Sequence, residues 1–232
     1  MPMSGLANAG IVETPVVVFD FDGTLVDTGP AILKCAARSL EVHGYDPSEM
    51  HDLNLIIGPP LVDGFRQVAD ISREEALPLV ATYREIFARE VVPSDYPPLP
   101  GMPELLHALR AQGRRIAVAT SRLESSVTEM LAATSLPTFD AIAGRLEPGR
   151  ETKADCIAAV LEELGCAEDQ AVMVGDRKYD VEGAHALGLA CIGICGDASG
   201  RTELEAAGAD ALAASVDELA ALLGIEGVQP KA

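Results

Sequence analysis

Two aspartates, Asp20 and Asp22, directly follow a short apolar run and offer the clearest chemistry in this sequence. The run, Val16–Phe19, is unbroken and rich in β-branched residues, which is typical of a parallel strand buried on both faces. If the backbone stays extended through Phe21, the two-residue alternation directs both carboxylates the same way. Two buried acids side by side are costly unless one is protonated or a cation lies between them. The pair therefore predicts a functional site rather than an acidic surface turn.

A second acidic pair follows another apolar run further along the chain. Asp176 comes after the Val-rich segment 171–174, and Asp180 lies one helical turn beyond it. Gly175, between them and the run, permits a close approach of the backbone. Ligands of open parallel sheets bind outside the carboxyl ends of the strands, so both acidic pairs are predicted at one edge. Four acids there predict a divalent cation, with Mg²⁺ preferred over Ca²⁺ because Ca²⁺ takes more ligands in looser geometry.

Three further residues could act on an anion, although each has an ordinary alternative. Thr120 and Ser121 follow the apolar segment 115–119, where their hydroxyls and backbone N–H groups could hold a phosphoryl oxygen. Ser and Thr are also common N-caps, and a helix is predicted to begin near residue 123. Lys153 opens a predicted helix, which is electrostatically unfavourable unless the lysine neutralises a nearby anion. Taken alone, such a lysine is more often a solvated surface residue.

The elements that must position these residues alternate between strand and helix from residue 101 onward. The sequence predicts strands at 16–19, 115–120, 141–143, 171–174 and 190–194, and helices at 103–111, 123–133, 153–164 and 181–187, before a final helix–strand–helix run to about residue 223. This alternation predicts a parallel sheet with right-handed crossovers, the doubly wound, Rossmann-like α/β fold.

The region between the first strand and this alternation has no strand-like pattern. Its apolar spacing predicts helices at 30–43, 48–56, 60–69 and 73–89. We therefore predict a small all-helical cap domain, residues 29–98, inserted into an α/β core formed by residues 1–28 and 99–232. The rigid turn at 57–61 either faces the site or is a plain helix–helix connection, and the sequence leaves both open.

The amino-acid composition limits the kinds of molecule that this protein is expected to bind. The chain has 232 residues, 48% of them hydrophobic, and a formal net charge of −19, which argues against a nucleic acid polymer or an anionic membrane. Five cysteines form no disulfide framework and are predicted to be small core residues in a reducing compartment. No signal peptide is evident, and no apolar run approaches the roughly 18 residues of a membrane span. These features predict a cytoplasmic protein, either a monomer or a homodimer.

Together the motifs resemble those of the haloacid-dehalogenase-like hydrolase superfamily over nearly the whole chain. The segment 20–24 (Asp-Phe-Asp-Gly-Thr) is similar to its first motif, Thr120-Ser121 to its second, Lys153 to its third and 175–180 to its fourth. The helical segment 29–98 resembles the small cap domain of the family. Segments 57–61, 100–104 and 175–180 are similar to the phosphoglycolate-phosphatase-like branch.

The resemblance implies a role for each motif residue. Asp20 would be the nucleophile that forms an aspartyl-phosphate, and Asp22 the general acid and base. Thr120 and Lys153 would spread the charge of the transferring phosphoryl group. Mg²⁺ would be held by Asp20, by the backbone carbonyl of Asp22, and by Asp176 and Asp180. The implied substrate-binding residues are Gly23, Thr24, Ser121, Arg122 and, in the cap, Gly58.

The function implied is Mg²⁺-dependent hydrolysis of the phosphate monoester of a small phosphorylated metabolite, as in a phosphoglycolate phosphatase. The alternatives are a 5′-nucleotidase-type phosphatase, a phosphosugar mutase of the same superfamily, or a catalytically silent binding protein. A dehalogenase has no alkoxide to protonate, so Asp22 argues against that activity. The cap is expected to close over the site and to select the substrate, so that changes at Gly58 or Phe65 shift substrate preference.

Overall fold

The computed structural model describes residues 14–226. Its core is a six-stranded, all-parallel sheet with the strand order β3-β2-β1-β4-β5-β6. The strands are β1 (Val16–Phe19), β2 (Arg115–Leu123), β3 (Ala141–Arg145), β4 (Ala171–Gly175), β5 (Ala190–Ile194) and β6 (Ala211–Ala213). The order reverses direction at β1, which places β1 at the centre between β2 and β4. This is the topological switch point at which doubly wound sheets bind ligands.

Among residues 14–226 the core has six helices; five lie between successive strands, and α9 follows β6. They are α4 (Met102–Ala111), α5 (Glu124–Ala132), α6 (Lys153–Leu164), α7 (Lys178–Ala186), α8 (Ala198–Ala207) and α9 (Val216–Leu222). Helices α6, α7 and α8 contribute to one apolar cluster with alternate residues of the strands, including Val16, Val18 and Met173. Helices α4 and α9 pack against each other and against β2, β5 and β6. The predicted doubly wound α/β fold is therefore confirmed.

The chain divides into two compact units, one of residues 26–97 and one of the residues before and after that segment. The inserted unit contains three α-helices among its residues: α1 (Gly29–Val42), α2 (Leu61–Ala69) and α3 (Arg73–Glu90). Ser39 Oγ of α1 donates a hydrogen bond of 2.7 Å to the Leu79 carbonyl of α3, within a shared apolar core. Phe65 is fully buried there against Tyr83, so substitutions at Phe65 would disturb packing and are a poor probe of substrate preference.

One predicted helix of the inserted unit does not form, and the reason is local. The helix predicted at 48–56 is wrong, since that segment forms two short 3₁₀ turns, Pro47–Glu49 and Leu53–Ile56. Asp46 and Asp52 accept backbone N–H bonds from Ser48 and Asn54, and such local bonds compete with helix formation.

All five cysteines lie within residues 14–226. The five cysteines are free thiols: Cys35, Cys156 and Cys191 are buried, whereas Cys166 and Cys195 are partly exposed. Cys156 and Cys191 belong to the apolar cluster of the sheet and Cys35 to that of the inserted unit, and Cys166 and Cys195 pack against the sheet cluster from its margin. Within this described part of the chain, no helix is both long and apolar enough to cross a membrane.

Candidate active site

The site lies at the carboxyl edge of the sheet, where β1 and β4 end side by side. Asp20 directly follows β1, and its backbone N–H donates to the Val174 carbonyl of β4 at 2.9 Å. Asp176 directly follows β4. Because the two strands are hydrogen-bonded neighbours in register, the two acids emerge close together. The pairing of β1 with β4 therefore brings together acids that are 156 positions apart in the sequence.

Three carboxylates converge at this edge. One oxygen from each of Asp20, Asp176 and Asp180 lies within 4.8 Å of the others. Lys153 Nζ lies 2.7 Å from Asp20 Oδ1 and 2.7 Å from Asp180 Oδ1, and it donates to the Ala119 carbonyl at 3.0 Å. If all four side chains are ionised, the three carboxylates and one ammonium leave a net charge of −2. The cluster thus carries the charge that one divalent cation would neutralise.

Lys153 is buried, with 7% of its surface exposed, so the expectation of a solvated lysine is wrong. It opens helix α6, where Thr152 and Asp155 form a capping box through two reciprocal hydrogen bonds. Gly183 of α7 makes room for the aliphatic stem, since a Cβ there would lie only 2.8 Å from Lys153 Cγ. The capping-box pattern Thr-x-x-Asp is legible in the sequence, and it could have fixed the start of this helix.

Glycines let the acids approach the backbone. Gly23 has a φ of +77°, and a Cβ there would overlap the carboxylate of Asp176. A Cβ on Gly175 would likewise overlap the carboxylate of Asp180. Asp180 is the third residue of α7 and accepts the N–H of Arg177 at 3.1 Å. The prediction that Asp180 is one turn along a shared helix face from Asp176 is wrong, because Asp176 precedes the helix.

The pKa values in the cluster reflect burial first and the charges of the neighbouring side chains second. Burial raises the pKa of Asp20 to about 6; Lys153 opposes this shift, and Asp180 and Asp22 add to it. Burial, followed by the charges of Asp180 and Asp20, raises the pKa of Asp176 well above its usual range. Burial acts to lower the pKa of Lys153, but Asp180 and Asp20 outweigh it and the net shift is upward. Lys153 is therefore charged, whereas its partners repel one another.

These residues fit a bound Mg²⁺. Carboxylate oxygens are the ligands that this ion prefers, and a nearby cation would reverse the repulsion that raises the pKa values of Asp20 and Asp176. The net charge of the cluster and the close spacing of its oxygens point the same way. Among residues 14–226, these three acids are the group of potential ligands found close enough together to hold an ion.

Asp22 stands apart from the three converging acids. Its two carboxylate oxygens accept hydrogen bonds from Arg122 Nε at 3.0 Å and from a terminal guanidinium nitrogen at 2.6 Å. The Arg122 guanidinium also lies 5.9 Å from the ring centre of Phe21. The backbone bends at Phe21 instead of staying extended, so Asp20 and Asp22 engage different cations. The prediction that four side-chain carboxylates converge is wrong, because Asp22 pairs with Arg122.

The hydroxyl residues occupy two positions around the cluster. Thr24 is fully buried, and its Oγ1 donates to Asp176 Oδ1 at 3.1 Å. Thr120 is buried within β2, which continues to Leu123, and its Oγ1 accepts the N–H of Arg122 at 3.2 Å. Ser121 is partly buried on the same strand. Thr120 and Ser121 therefore do not cap the following helix, whose N-cap is Leu123 without a side-chain bond.

The remaining predicted residue, Gly58, lies in the inserted unit. It has a φ of +105° and follows the second 3₁₀ turn of that unit. Its assignment to substrate binding stays a prediction. Sequence reasoning missed the Ala119 carbonyl and Gly183, both of which hold Lys153, because neither residue type carries a chemical signal of its own.

Replacing Lys153 by Met should destabilise the protein strongly. The change leaves Asp20 and Asp180 buried without their shared cation, and breaking a buried ion pair from one side typically costs about 3–5 kcal/mol. Urea denaturation in metal-free buffer measures the loss. The matched control is Lys178→Met, since Lys178 is exposed and should change the free energy of unfolding by about 1 kcal/mol or less. Equal stabilities for the two variants would contradict the role given to Lys153.

Comparison with known proteins places this geometry in a family. The haloacid dehalogenase-like hydrolase model matches residues 17–194, which is most of the chain. A 5′-nucleotidase of Pseudomonas aeruginosa is 35% identical over 78% of this chain and 82% of its own length. A phosphoglycolate phosphatase of Caulobacter vibrioides is 31% identical over 75% of this chain and 76% of its own. A protein of Mycobacterium tuberculosis named tyrosine-protein kinase PtkA is 34% identical over 92% and 74%, respectively.

A solved structure supports the same grouping. The crystal structure of a predicted phosphatase from Clostridium acetobutylicum has a TM-score of 0.77 and 32% identity. That similarity covers 89% of this chain and 96% of the other. The resemblance inferred from the motifs is confirmed by these matches. The chain belongs to the haloacid dehalogenase-like hydrolase family, among the phosphatases of that family.

Proposed function

We propose that this protein is a Mg²⁺-dependent phosphate monoester hydrolase that acts on a small phosphorylated metabolite through an aspartyl-phosphate on Asp20. The observation that carries the proposal is the convergence of three carboxylates, Asp20, Asp176 and Asp180, on one edge of the sheet, with Lys153 as a cation between two of them. A nucleophilic carboxylate beside a cation is the arrangement that covalent phosphoryl transfer needs.

In the first step, a carboxylate oxygen of Asp20 attacks phosphorus as the ester P–O bond breaks. Lys153 favours the ionised form of this carboxylate and opposes the effect of burial, because its ammonium lies 2.7 Å from Oδ1. Thr120 and Lys153 also stabilise the negative charge of the phosphoryl oxygens, where electrostatic stabilisation is usually the largest contribution. The product of this step is the acyl phosphate of Asp20 and an alkoxide that takes a proton.

Asp22, in its protonated form, supplies that proton; as a carboxylate it then removes one from the water that hydrolyses the acyl phosphate, which returns it to the protonated form. The Asp22 carboxylate must leave the two-bond contact with Arg122 to do so. Arg122 is well placed to exchange this contact for one with an anionic substrate, since its guanidinium forms two parallel bonds equally well with phosphate. We assign the remaining substrate contacts to Gly23, Thr24, Ser121 and, in the inserted unit, Gly58.

Bound Mg²⁺ would be held by Asp20, Asp176, Asp180 and the Asp22 carbonyl, and it would neutralise charge on the phosphoryl oxygens. The raised pKa values of Asp20 and Asp176 support that assignment, because a bound cation would stabilise the ionised forms of both side chains. The lead candidate substrate is phosphoglycolate, supported by the resemblance of segments 57–61, 100–104 and 175–180. A nucleoside 5′-monophosphate is the second candidate, supported by the 35% identity to the Pseudomonas enzyme.

Phosphate release from a panel of small phosphomonoesters tests the proposal. The panel should include phosphoglycolate, nucleoside monophosphates and hexose phosphates, with p-nitrophenyl phosphate as a generic ester. Release from at least one metabolite, with one clear preference, is expected. Conversion of a hexose phosphate into its isomer without phosphate release would favour a mutase. Binding of a panel compound without any turnover would favour a catalytically silent protein.

Chelation should abolish the activity. Without a cation, three carboxylates are opposed by one ammonium, and their negative charge repels the phosphoryl group. We expect turnover to fall to background in excess EDTA, to return on adding Mg²⁺, and to return far less with Ca²⁺. Full turnover in excess chelator would contradict the metal dependence.

A further inference from the structure

Glu203, on helix α8, bonds the turn that connects two of the proposed metal ligands. Its Oε1 accepts a hydrogen bond from Arg177 Nε at 3.0 Å and another from the backbone N–H of Lys178 at 3.0 Å. Arg177 directly follows Asp176, and Lys178 begins the helix that carries Asp180. One carboxylate oxygen therefore holds two of the three residues that lie between the two acids.

The contact is a partly buried ion pair rather than a surface one. The side chain of Glu203 is 28% exposed and that of Arg177 is 19% exposed. Burial acts to raise the pKa of Glu203, but the bonds from Arg177 and from the Lys178 N–H outweigh it and lower the pKa. Glu203 is therefore held in its charged form by the turn itself, which makes the contact stronger than a typical exposed pair.

The turn also contacts Asp180 directly. Its backbone is pressed against Asp180 at Gly175, where no Cβ fits, and the Arg177 N–H donates to Asp180 Oδ2 at 3.1 Å. A shift of Arg177 would therefore move Asp180 together with Asp176. Mg²⁺ requires near-ideal octahedral geometry with bonds of about 2.0–2.1 Å, so small displacements of its ligands are costly.

Helix α8, which carries Glu203, is capped at its N-terminus and packs on the sheet. Its N-cap, Asp197, accepts the N–H groups of Ser199 and Gly200 at 2.8 and 2.9 Å. The neighbouring residue, Leu204, is fully buried and packs on β5, where a Cβ on Gly193 would lie 2.8 Å from its Cδ1. Glu203 is thus carried by an element anchored to the sheet, independently of the turn that it bonds.

We propose that Glu203 is a positioning residue that sets the Mg²⁺ affinity of the site by holding the turn between Asp176 and Asp180. This inference rests on the proposed function, because it takes those two acids as ligands of the ion. Residues that orient metal ligands typically contribute about 10–100-fold in metal affinity or activity when they are changed.

The test compares Glu203→Gln and Glu203→Ala with the matched control Glu205→Gln. Glu205 lies on the same helix, and its ion pair with Arg201 is about half exposed on both sides. Isothermal titration with Mg²⁺ measures affinity without turnover, and the Mg²⁺ dependence of p-nitrophenyl phosphate hydrolysis gives a second value. Glu203→Gln keeps the size of the side chain and one acceptor oxygen, so this variant decides the question if Glu203→Ala does not fold.

Glu203→Gln should weaken Mg²⁺ binding about 10-fold, and Glu203→Ala by up to about 100-fold. The control should bind like the wild type, and kcat of Glu203→Gln should approach the wild-type value at saturating Mg²⁺. Wild-type Mg²⁺ affinity in both Glu203 variants would overturn the inference while leaving the proposed function intact. A wild-type protein that binds no Mg²⁺ in the titration would overturn the proposed function itself, and the inference with it.

Discussion

Asp20→Asn should abolish turnover while leaving the protein folded. The asparagine is nearly isosteric with the aspartate but cannot form the acyl phosphate, and no other carboxylate of the cluster follows β1. Loss of a catalytic nucleophile lowers kcat by about 10⁴-fold or more in enzymes that use covalent catalysis. Lys153 keeps its second partner, Asp180, so the ion pair that supports the cluster survives the change. Steady-state phosphate release against the best ester of the panel measures the effect.

Trapping the intermediate makes this experiment decisive. After rapid acid quenching, the wild type should carry covalently bound phosphate from the substrate, and Asp20→Asn should carry none. Asp169→Asn is the control, since Asp169 is exposed and precedes β4, at the end of that strand opposite to the site. Turnover of Asp20→Asn near the wild-type rate would refute the assignment of the nucleophile and with it the proposed mechanism.

Asp22→Asn should slow the enzyme by about 10²–10⁴-fold with a poor leaving group, the usual contribution of general acid–base catalysis. The amide can still accept a hydrogen bond from Arg122, but it cannot deliver or take a proton at neutral pH. Formation of the phosphoenzyme from p-nitrophenyl phosphate should suffer less, because that leaving group departs with little protonation. Hydrolysis of the intermediate should still be slow, so a burst of p-nitrophenol is expected.

Pre-steady-state measurement separates this role from a structural one. If Asp22 only holds Arg122 in place, the formation step should fall equally for good and poor leaving groups, which would contradict the acid–base assignment. Arg122→Met is the companion variant, since it removes the guanidinium that pairs with Asp22 but keeps an unbranched side chain. It should weaken substrate binding more than it slows the formation step for p-nitrophenyl phosphate.

Much of the fold was predictable because its signals are local. A buried parallel strand is an unbroken apolar run, and a helix between two such runs implies a right-handed crossover. The strands at 16–19, 171–175 and 190–194 were identified on this basis to within one residue. The two 3₁₀ turns between residues 47 and 56 were missed, since side-chain bonds from two aspartates outweigh the apolar spacing of that segment.

The sequence by itself determined that Asp20 and Asp176 meet at one edge of a parallel sheet, because both directly follow buried strands and parallel strands end on the same side. Only the tertiary structure decided what surrounds them. The pairing of Asp22 with Arg122 joins residues 100 positions apart, and the burial of Lys153 depends on Gly183 of another helix. Glu203 carried no signal at all, since a glutamate on an amphipathic helix is ordinarily a solvated residue. Such contacts depend on how helices pack on the sheet, and no local pattern of residues records that packing.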